Sequence, residues 1–206
     1  MPENHLLAGL ATHFRPDQLA RLANARVGIA GAGGLGSNLA IMLCRCGIGG
    51  LILVDHDNVE PSNLNRQHFL PGQLGMPKVE ALAENLLALN PDLELDIRNM
   101  RLDADNIDSC IRDCNLWAEA LDGAEDKTML VEKALLASCQ IVSASGLCGY
   151  GGPPMQKRRM GNLVLVGDFT TSCQIAPPLA PRVTQAAALM ADAILEFVLG
   201  EEEKPA

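Results

Sequence analysis

The sequence predicts an α/β domain built on a doubly wound, mostly parallel sheet with helices on both faces, and three observations carry that expectation. Short apolar, β-branched runs such as VGIAG, LILVD and QIVSAS alternate along the chain with segments of helical periodicity, which is the order that parallel strands joined by crossover helices produce. The first run passes without a gap into GAGGLG at positions 31–36, the spacing of a strand-to-helix turn that receives phosphate. The third is size: 206 residues, 48% hydrophobic and 20% charged, suit one domain with a sizeable core.

Taken in order, residues 1–24 read as a helical arm. A helix starts near Pro16, with Asp17 in its first turn and Leu19, Leu22 and Ala23 on one face. The strand from Val27 follows. In the turn, Gly31 allows a tight bend, Gly33 and Gly34 let backbone approach an anion, and Gly36 lets the next helix pack closely on the strand. The helix carrying Leu39, Leu43 and Ile48 is closed by Gly47, and LILVD returns to the sheet, ending at Asp55. A helix over 78–90 buries Val79, Leu82, Ala83 and Leu86, and Asn90–Pro91 ends it. Leu93, Leu95 and Ile97 alternate as a strand. A short helix over 106–113, the strand LWAEALD, a helix to about Ser138 and the strand QIVSAS come next. GLCGYGGPPMQKRRMGN reads as one long loop, and NLVLVGDF as a strand added antiparallel to the sheet. The last helix runs from Val183 to about Leu199, and residues 201–206 form a frayed tail. Asp55, Asp122 and Gly146 each follow a strand's carboxyl end, so they should meet in one cleft.

Composition excludes some classes. A net charge of −9 and 3% aromatic residues argue against a nucleic-acid-binding face, which needs basic and stacking side chains. The first residues lack a basic leader and a long apolar core, and seven unevenly spaced cysteines fit a reducing compartment, so a cytoplasmic location is expected. Without a Cys-x-x-Cys pair, no zinc is expected. Cys44, Cys46, Cys110 and Cys114 read as buried small apolar residues.

The loop after Asp55 carries the chemistry. Asp57, Asn63, Asn65, Arg66 and Gln67 are packed into one segment, and Lys78 opens the next helix. A guanidinium that grips phosphate oxygens bidentately and a lysine acting as a point charge suit a triphosphate and its leaving pyrophosphate. Asp55, about twenty residues past the glycines, suits ribose hydroxyls. By themselves these features leave a nicotinamide dinucleotide open as an alternative ligand.

GAGGLGSN, LVDHDNVEPSNLNRQ, GMPKVEAL and the pair Leu121, Asp122 together resemble the ubiquitin-activating-enzyme-like superfamily, specifically its short ThiF branch, over about residues 25–200. The resemblance implies a Rossmann-like adenylyltransferase for a small ubiquitin-fold sulfur carrier ending in Gly-Gly, working in thiamine biosynthesis as a two-fold dimer. It places ATP phosphates on the turn from Gly31 to Gly36, ribose on Asp55, polyphosphate on Asn63, Arg66 and Lys78, and Mg²⁺ on Asp122. GAEDK after Leu121–Asp122 departs from the family's usual Asp-Asn pair, so Asp126 either shares the metal or caps a helix. In that family an arginine from the N-terminal region reaches a partner subunit's nucleotide; Arg15 or Arg21 would do so here, but the surrounding motif does not match and surface residues are the favoured reading. Cys173, in a polar stretch before the last helix, is where larger relatives form a covalent link to the carrier; its alternative is an inert thiol. The basic cluster Lys157, Arg158, Arg159 reads as a solvated loop, its alternative being contact with an acidic surface or flexible tail of a carrier. Three other readings stand beside this one: an NAD(P)-dependent oxidoreductase, a non-catalytic ATP- or carrier-binding module, and an adenylating enzyme for a small carboxylate such as one on modified tRNA.

Overall fold

The computed structural model describes residues 4–200; the expected frayed tail at 201–206 lies outside them. The sheet has seven strands: β1 (Arg26–Ala30), β2 (Gly50–Asp55), β3 (Glu94–Asn99), β4 (Leu116–Glu119), β5 (Gln140–Ala144), β6 (Gln156–Met160) and β7 (Leu163–Gly167), ordered β3-β2-β1-β4-β5-β7-β6. Every neighbouring pair is parallel except β6–β7. The chain winds outward from β1 to β3 and then restarts on the other side of β1 with β4. The β1–β4 boundary is therefore the switch point where a crevice opens beyond the strand ends.

Alternation along the central strands sends side chains to two cores. Val27 and Ile29 of β1 and Leu51 and Leu53 of β2 pack with Leu39 and Leu43 of α3 (Gly34–Arg45), Leu82 and Leu86 of α4 (Lys78–Leu89) and Met190 and Ile194 of α7 (Ala180–Leu199). Ala30, Ile52, Val54, Trp117 and Ile141 face the other way, onto Ile107 and Ile111 of α5 (Ile107–Ile111) and Leu130 and Ala134 of α6 (Ala124–Leu136). Near-continuous apolar strands are the consequence of covering both faces. In the N-terminal arm, α2 (Pro16–Asn24) is preceded by a second helix that the periodicity did not reveal, α1 (His5–Leu10). It buries no residue and so has no apolar stripe to read; its start is set by Asn4, whose Oδ1 accepts from the amides of Leu6 and Leu7.

Two expectations for the C-terminal half are corrected. The long loop contains a strand: residues 156–160 form the edge strand β6, joined to β7 by the two-residue hairpin turn Gly161–Asn162. β7 itself is parallel to β5, because the chain crosses over and turns back before entering it. The basic cluster thus lies along a sheet edge and is largely occupied. Lys157 Nζ pairs with Asp192 at 2.7 Å and with Glu196 at 2.5 Å, Arg158 lies over the Phe169 ring and Arg159 over Phe197. Charged edge strands also discourage pairing with other chains.

Beyond β7 the fold is held by a buried ion pair. Asp168 takes the guanidinium of Arg182, the backbone and hydroxyl groups of Thr170 and the backbone and hydroxyl groups of Thr171, while Arg182 also donates to the Pro153 carbonyl at 3.1 Å. Burial alone would raise the Asp168 carboxyl, but the hydrogen bonds from Thr171 and Thr170 outweigh it and hold the group well below its ordinary value of 3.8. A carboxyl depressed on folding adds stability above about pH 4 and loses that contribution as pH falls further, towards its folded value. Asp168→Asn is therefore expected to lower the melting temperature at pH 7 and to flatten the loss of stability below about pH 4, as read by thermal unfolding at a series of pH values. Arg182→Met, which strands the carboxylate, should cost about 3–5 kcal/mol at neutral pH.

Candidate active site

The cleft is built where β1 gives way to α3. Gly31 has φ +98°, and a side chain there would collide with the Ala120 carbonyl; a side chain on Gly36 would collide with the Gly31 carbonyl. Only glycine lets the helix, the turn and the end of β4 come this close. The first turn of α3 then presents unpaired amide groups and the positive end of a 12-residue helix to the opening. Gly31, Gly33, Asp55, Asp57, Lys78, Asp122 and Asp126 line the same cleft, whereas Gly146, expected to join them, is not part of its lining and packs against Asp168 and Phe169 beyond β7.

Asp55 shapes this floor directly. One carboxylate oxygen accepts from the Ala32 amide at 2.6 Å and the other from the Asp57 amide at 2.8 Å, so it clamps the glycine turn to the start of the next loop. Lone pairs remain on both oxygens for ligand hydroxyls. Lys78 is buried, and its Nζ lies 2.7 Å from Asp57 Oδ2. The hydrogen bond from that ammonium, larger than the opposing effect of burial, lowers the Asp57 carboxyl below its ordinary range. A cation at the cleft wall is thus held ready by a half-exposed carboxylate. Asp122 forms no hydrogen bond or ion pair among the described residues, and Asp126, whose carboxylate lies against Gly123, lines the same cleft while pairing with Arg101 at 3.4 Å. Carboxylate oxygens without a protein partner on a cleft wall are the donor set that suits Mg²⁺, so the residues present fit that ion. Asp55, His56 and Asp57 also bring ligand atoms within 4.8 Å of one another, but Asp57 is held by Lys78.

The rest of the loop is used differently from the expectation. The side-chain oxygen of Asn63, a buried residue, accepts from the Glu60 amide at 2.9 Å and so closes a 3-10 turn over 61–63. Arg66 donates within its own loop, to the Ser62 carbonyl at 3.0 Å and to Asn65 Oδ1 at 2.8 Å, and its methylenes run beside Gly34 rather than along the cleft wall. Gln67 is buried with its Oε1 unpartnered and its Nε2 beside Gly33, an amide with spare capacity next to the glycine turn. Sequence reasoning missed Asn38. Buried in α3, it donates to the carbonyls of Gly34 and Arg66 at 2.7 and 2.9 Å and accepts from Thr184 Oγ1 at 3.2 Å, tying helix, loop and α7 together. An asparagine in an otherwise apolar helix was the available signal.

The cysteine expectations divide. Cys44, Cys110 and Cys114 are buried, and burial pushes the thiols of Cys44 and Cys114 up to about 11, where they are inert. Cys173 is not a free thiol: it is bonded to Cys148, with their Cα atoms 5.2 Å apart. The bond staples the loop after β5 to the loop before α7. A relay through Cys173 would first need that bond reduced, because a sulfur in a disulfide has no thiolate to offer. Arg15 pairs with Asp17 on the surface, and Arg21 donates to the Leu199 carbonyl of its own chain.

The ThiF family profile matches residues 7–206. Ubiquitin-like modifier-activating enzyme 5 of Caenorhabditis elegans is 42% identical over 96 residues, which are 46% of this chain and 23% of that protein. The Drosophila persimilis protein of the same name is 48% identical over 90 residues, 43% of this chain and 23% of that protein. The aligned part of the chain thus spans about a quarter of the length of these curated relatives. Among solved structures, Escherichia coli TcdA, a tRNA N6-threonylcarbamoyladenosine dehydratase solved with AMP, superposes with a TM-score of 0.87 at 20% identity, covering 95% of this chain and 94% of that one. E. coli MccB with ATP gives a TM-score of 0.70 at 21% identity over 88% of this chain and 58% of its own. At these identities the likeness shows a shared fold.

Peptide mapping of the protein alkylated without reduction should yield one linked peptide pair, Cys148 with Cys173, and alkylation of both only after reduction. Replacing both with alanine should cost about 2–4 kcal/mol in denaturant unfolding.

Proposed function

Because the chain belongs to the ThiF family, we propose that it activates a carboxylate by ATP-dependent adenylation, the carboxylate being the C-terminus of a small ubiquitin-fold carrier protein. One observation carries the reading: the glycine turn, Asp55, Lys78 and an unpaired Asp122 converge on a single cleft at the β1–β4 switch point. Phosphate, ribose, cation and metal subsites are then adjacent, as a nucleotide triphosphate needs. A sulfur carrier of thiamine biosynthesis is the expected partner, and the names of the curated relatives support a ubiquitin-like modifier as the wider class. A two-fold homodimer is the expected assembly.

In this reading a carboxylate oxygen of the carrier attacks the α-phosphorus of ATP. The bond between that phosphorus and the α–β bridging oxygen breaks, and pyrophosphate leaves. The nucleophile is already an anion, so no general base is needed, and alignment plus charge neutralisation supply the rate. The α3 amide groups and Gln67 bind phosphate oxygens, and Asp55 orients the ribose. Lys78 turns from Asp57 towards the phosphates as their charge enters the cleft. Asp122, with Asp126 beside it, would hold Mg²⁺, which when bound screens charge on the leaving group. Arg66 reaches the polyphosphate only by exchanging its bonds to Ser62 and Asn65 for phosphate oxygens.

The competing readings separate cleanly. An oxidoreductase would bind NADH and no ATP, a non-catalytic module would bind ATP without carrier-dependent pyrophosphate exchange, and an enzyme for a tRNA carboxylate would adenylate RNA and ignore protein carriers. The decisive experiment incubates the protein with ATP, Mg²⁺ and small proteins ending in Gly-Gly, and weighs the carrier. A mass gain of one AMP supports the proposal; its absence with every carrier overturns it. Lys78→Ala and Asp122→Asn should each slow pyrophosphate exchange by about 10²- to 10³-fold with melting behaviour retained.

A further inference from the structure

We propose that Glu119, which lies outside the cleft, is the positioning residue for Asp122. The inference rests on the adenylation reading for its consequence, but its structural basis is independent. Glu119 ends β4 after Leu116, Trp117 and Ala118, all buried, and is itself fully buried. Apolar packing explains the three before it and cannot explain a carboxylate. Burying that anion is unfavourable unless every lone pair facing the protein is used.

They are used, by groups that bracket one short turn. Oε1 accepts from the Leu121 amide at 2.7 Å and from Lys127 Nζ at 2.9 Å; Oε2 accepts from the same Nζ at 2.9 Å and from Ser143 Oγ at 2.6 Å. Leu121 immediately precedes Asp122, Lys127 stands at the end of the first turn of α6, and Ser143 belongs to the neighbouring strand β5. The four residues 120–123 that join β4 to α6 are therefore held at their start, at their far end and from the side. Asp122 sits inside this bracket with a carboxylate that no group among the described residues restrains. Its direction is set by the backbone that carries it, and Glu119 fixes that backbone. The same turn includes Ala120, whose carbonyl abuts Gly31, so a shift of the turn would move the floor of the phosphate subsite as well. Groups that act through another in this way typically change affinity or rate by about 10- to 100-fold.

The test uses Glu119→Gln, which keeps shape and acceptor but removes the charge that engages Lys127, together with Lys127→Met and the conservative Lys127→Arg. Amide hydrogen exchange of residues 120–123 is expected to speed up about 10-fold or more in Glu119→Gln and Lys127→Met, with the central strands unchanged and Lys127→Arg close to wild type. The Mg²⁺ concentration giving half-maximal pyrophosphate exchange should rise and kcat fall by about 10- to 100-fold, while KM for ATP stays within about twofold. Unchanged exchange at 120–123 overturns the proposal. So does local loosening with normal Mg²⁺ dependence and kcat, or a loss that Lys127→Arg does not restore. If the wild-type protein binds no nucleotide by calorimetry, the ATP reading fails by itself, and the exchange data alone decide whether Glu119 holds the turn.

Discussion

Backbone meets backbone at the centre of this molecule, where the turn after β1 presses against the turn after β4, and no side chain fits between Gly31 and the Ala120 carbonyl. The Gly31 amide donates to the Val54 carbonyl at 2.8 Å and the Ala120 amide to the Ala30 carbonyl at 2.8 Å, so the strand ends of β2, β1 and β4 are locked in register. From this point α3 leaves towards one face of the sheet and α6 towards the other. The crevice is what remains between them. A parallel sheet that changes winding direction must leave such a gap, and here the gap collects the amide ends of α3 and the carboxylates that follow β2 and β4.

The cations in and near the cleft already have partners, while carboxylates outnumber cations along its lining. Lys78 rests on Asp57, Arg101 on Asp126, and Arg66 within its own loop. In the proposed function a polyphosphate would compete for partners that already have one, and its binding would exchange half-exposed internal pairs for charge-assisted bonds to the ligand. Such an arrangement keeps a buried lysine from carrying an isolated charge, which would be costly. Asp122 stands apart as the carboxylate in the group with no partner among the described residues, which is why the proposed function gives it the cation.

The C-terminal third is tied to the rest of the fold by discrete links. The loop before α7 is fastened at three points: to the β5 loop by Cys148–Cys173, to the interior through Asp168 and Arg182, and to the loop after β2 by the Asn65 side chain on the Pro178 carbonyl at 3.2 Å. These ties cross long stretches of chain, and each joins a segment with little local structure of its own. Order in this region comes from specific polar and covalent links more than from apolar burial, which explains why its composition alone read as loop.

Periodicity, glycine spacing and the string from Leu53 to Gln67 were enough to determine the winding of the sheet from β1 to β5, the two-sided core and the meeting of the glycine turn, Asp55 and Asp122 in one cleft, because those features depend on local repeats and on residue types that only one backbone conformation accepts. The pairing of Cys148 with Cys173, the strand at 156–160, the direction of β7, the inward duty of Asn63 and the anchoring of the Asp122 turn by Glu119 were decided by the tertiary structure. Those features depend on which groups the fold brings within bonding distance, at separations from three residues for Glu60 and Asn63 to 25 for the two cysteines. Residue order carries no direct record of such distances. A charged residue within an apolar strand signals that something meets it, and the packed chain alone says what.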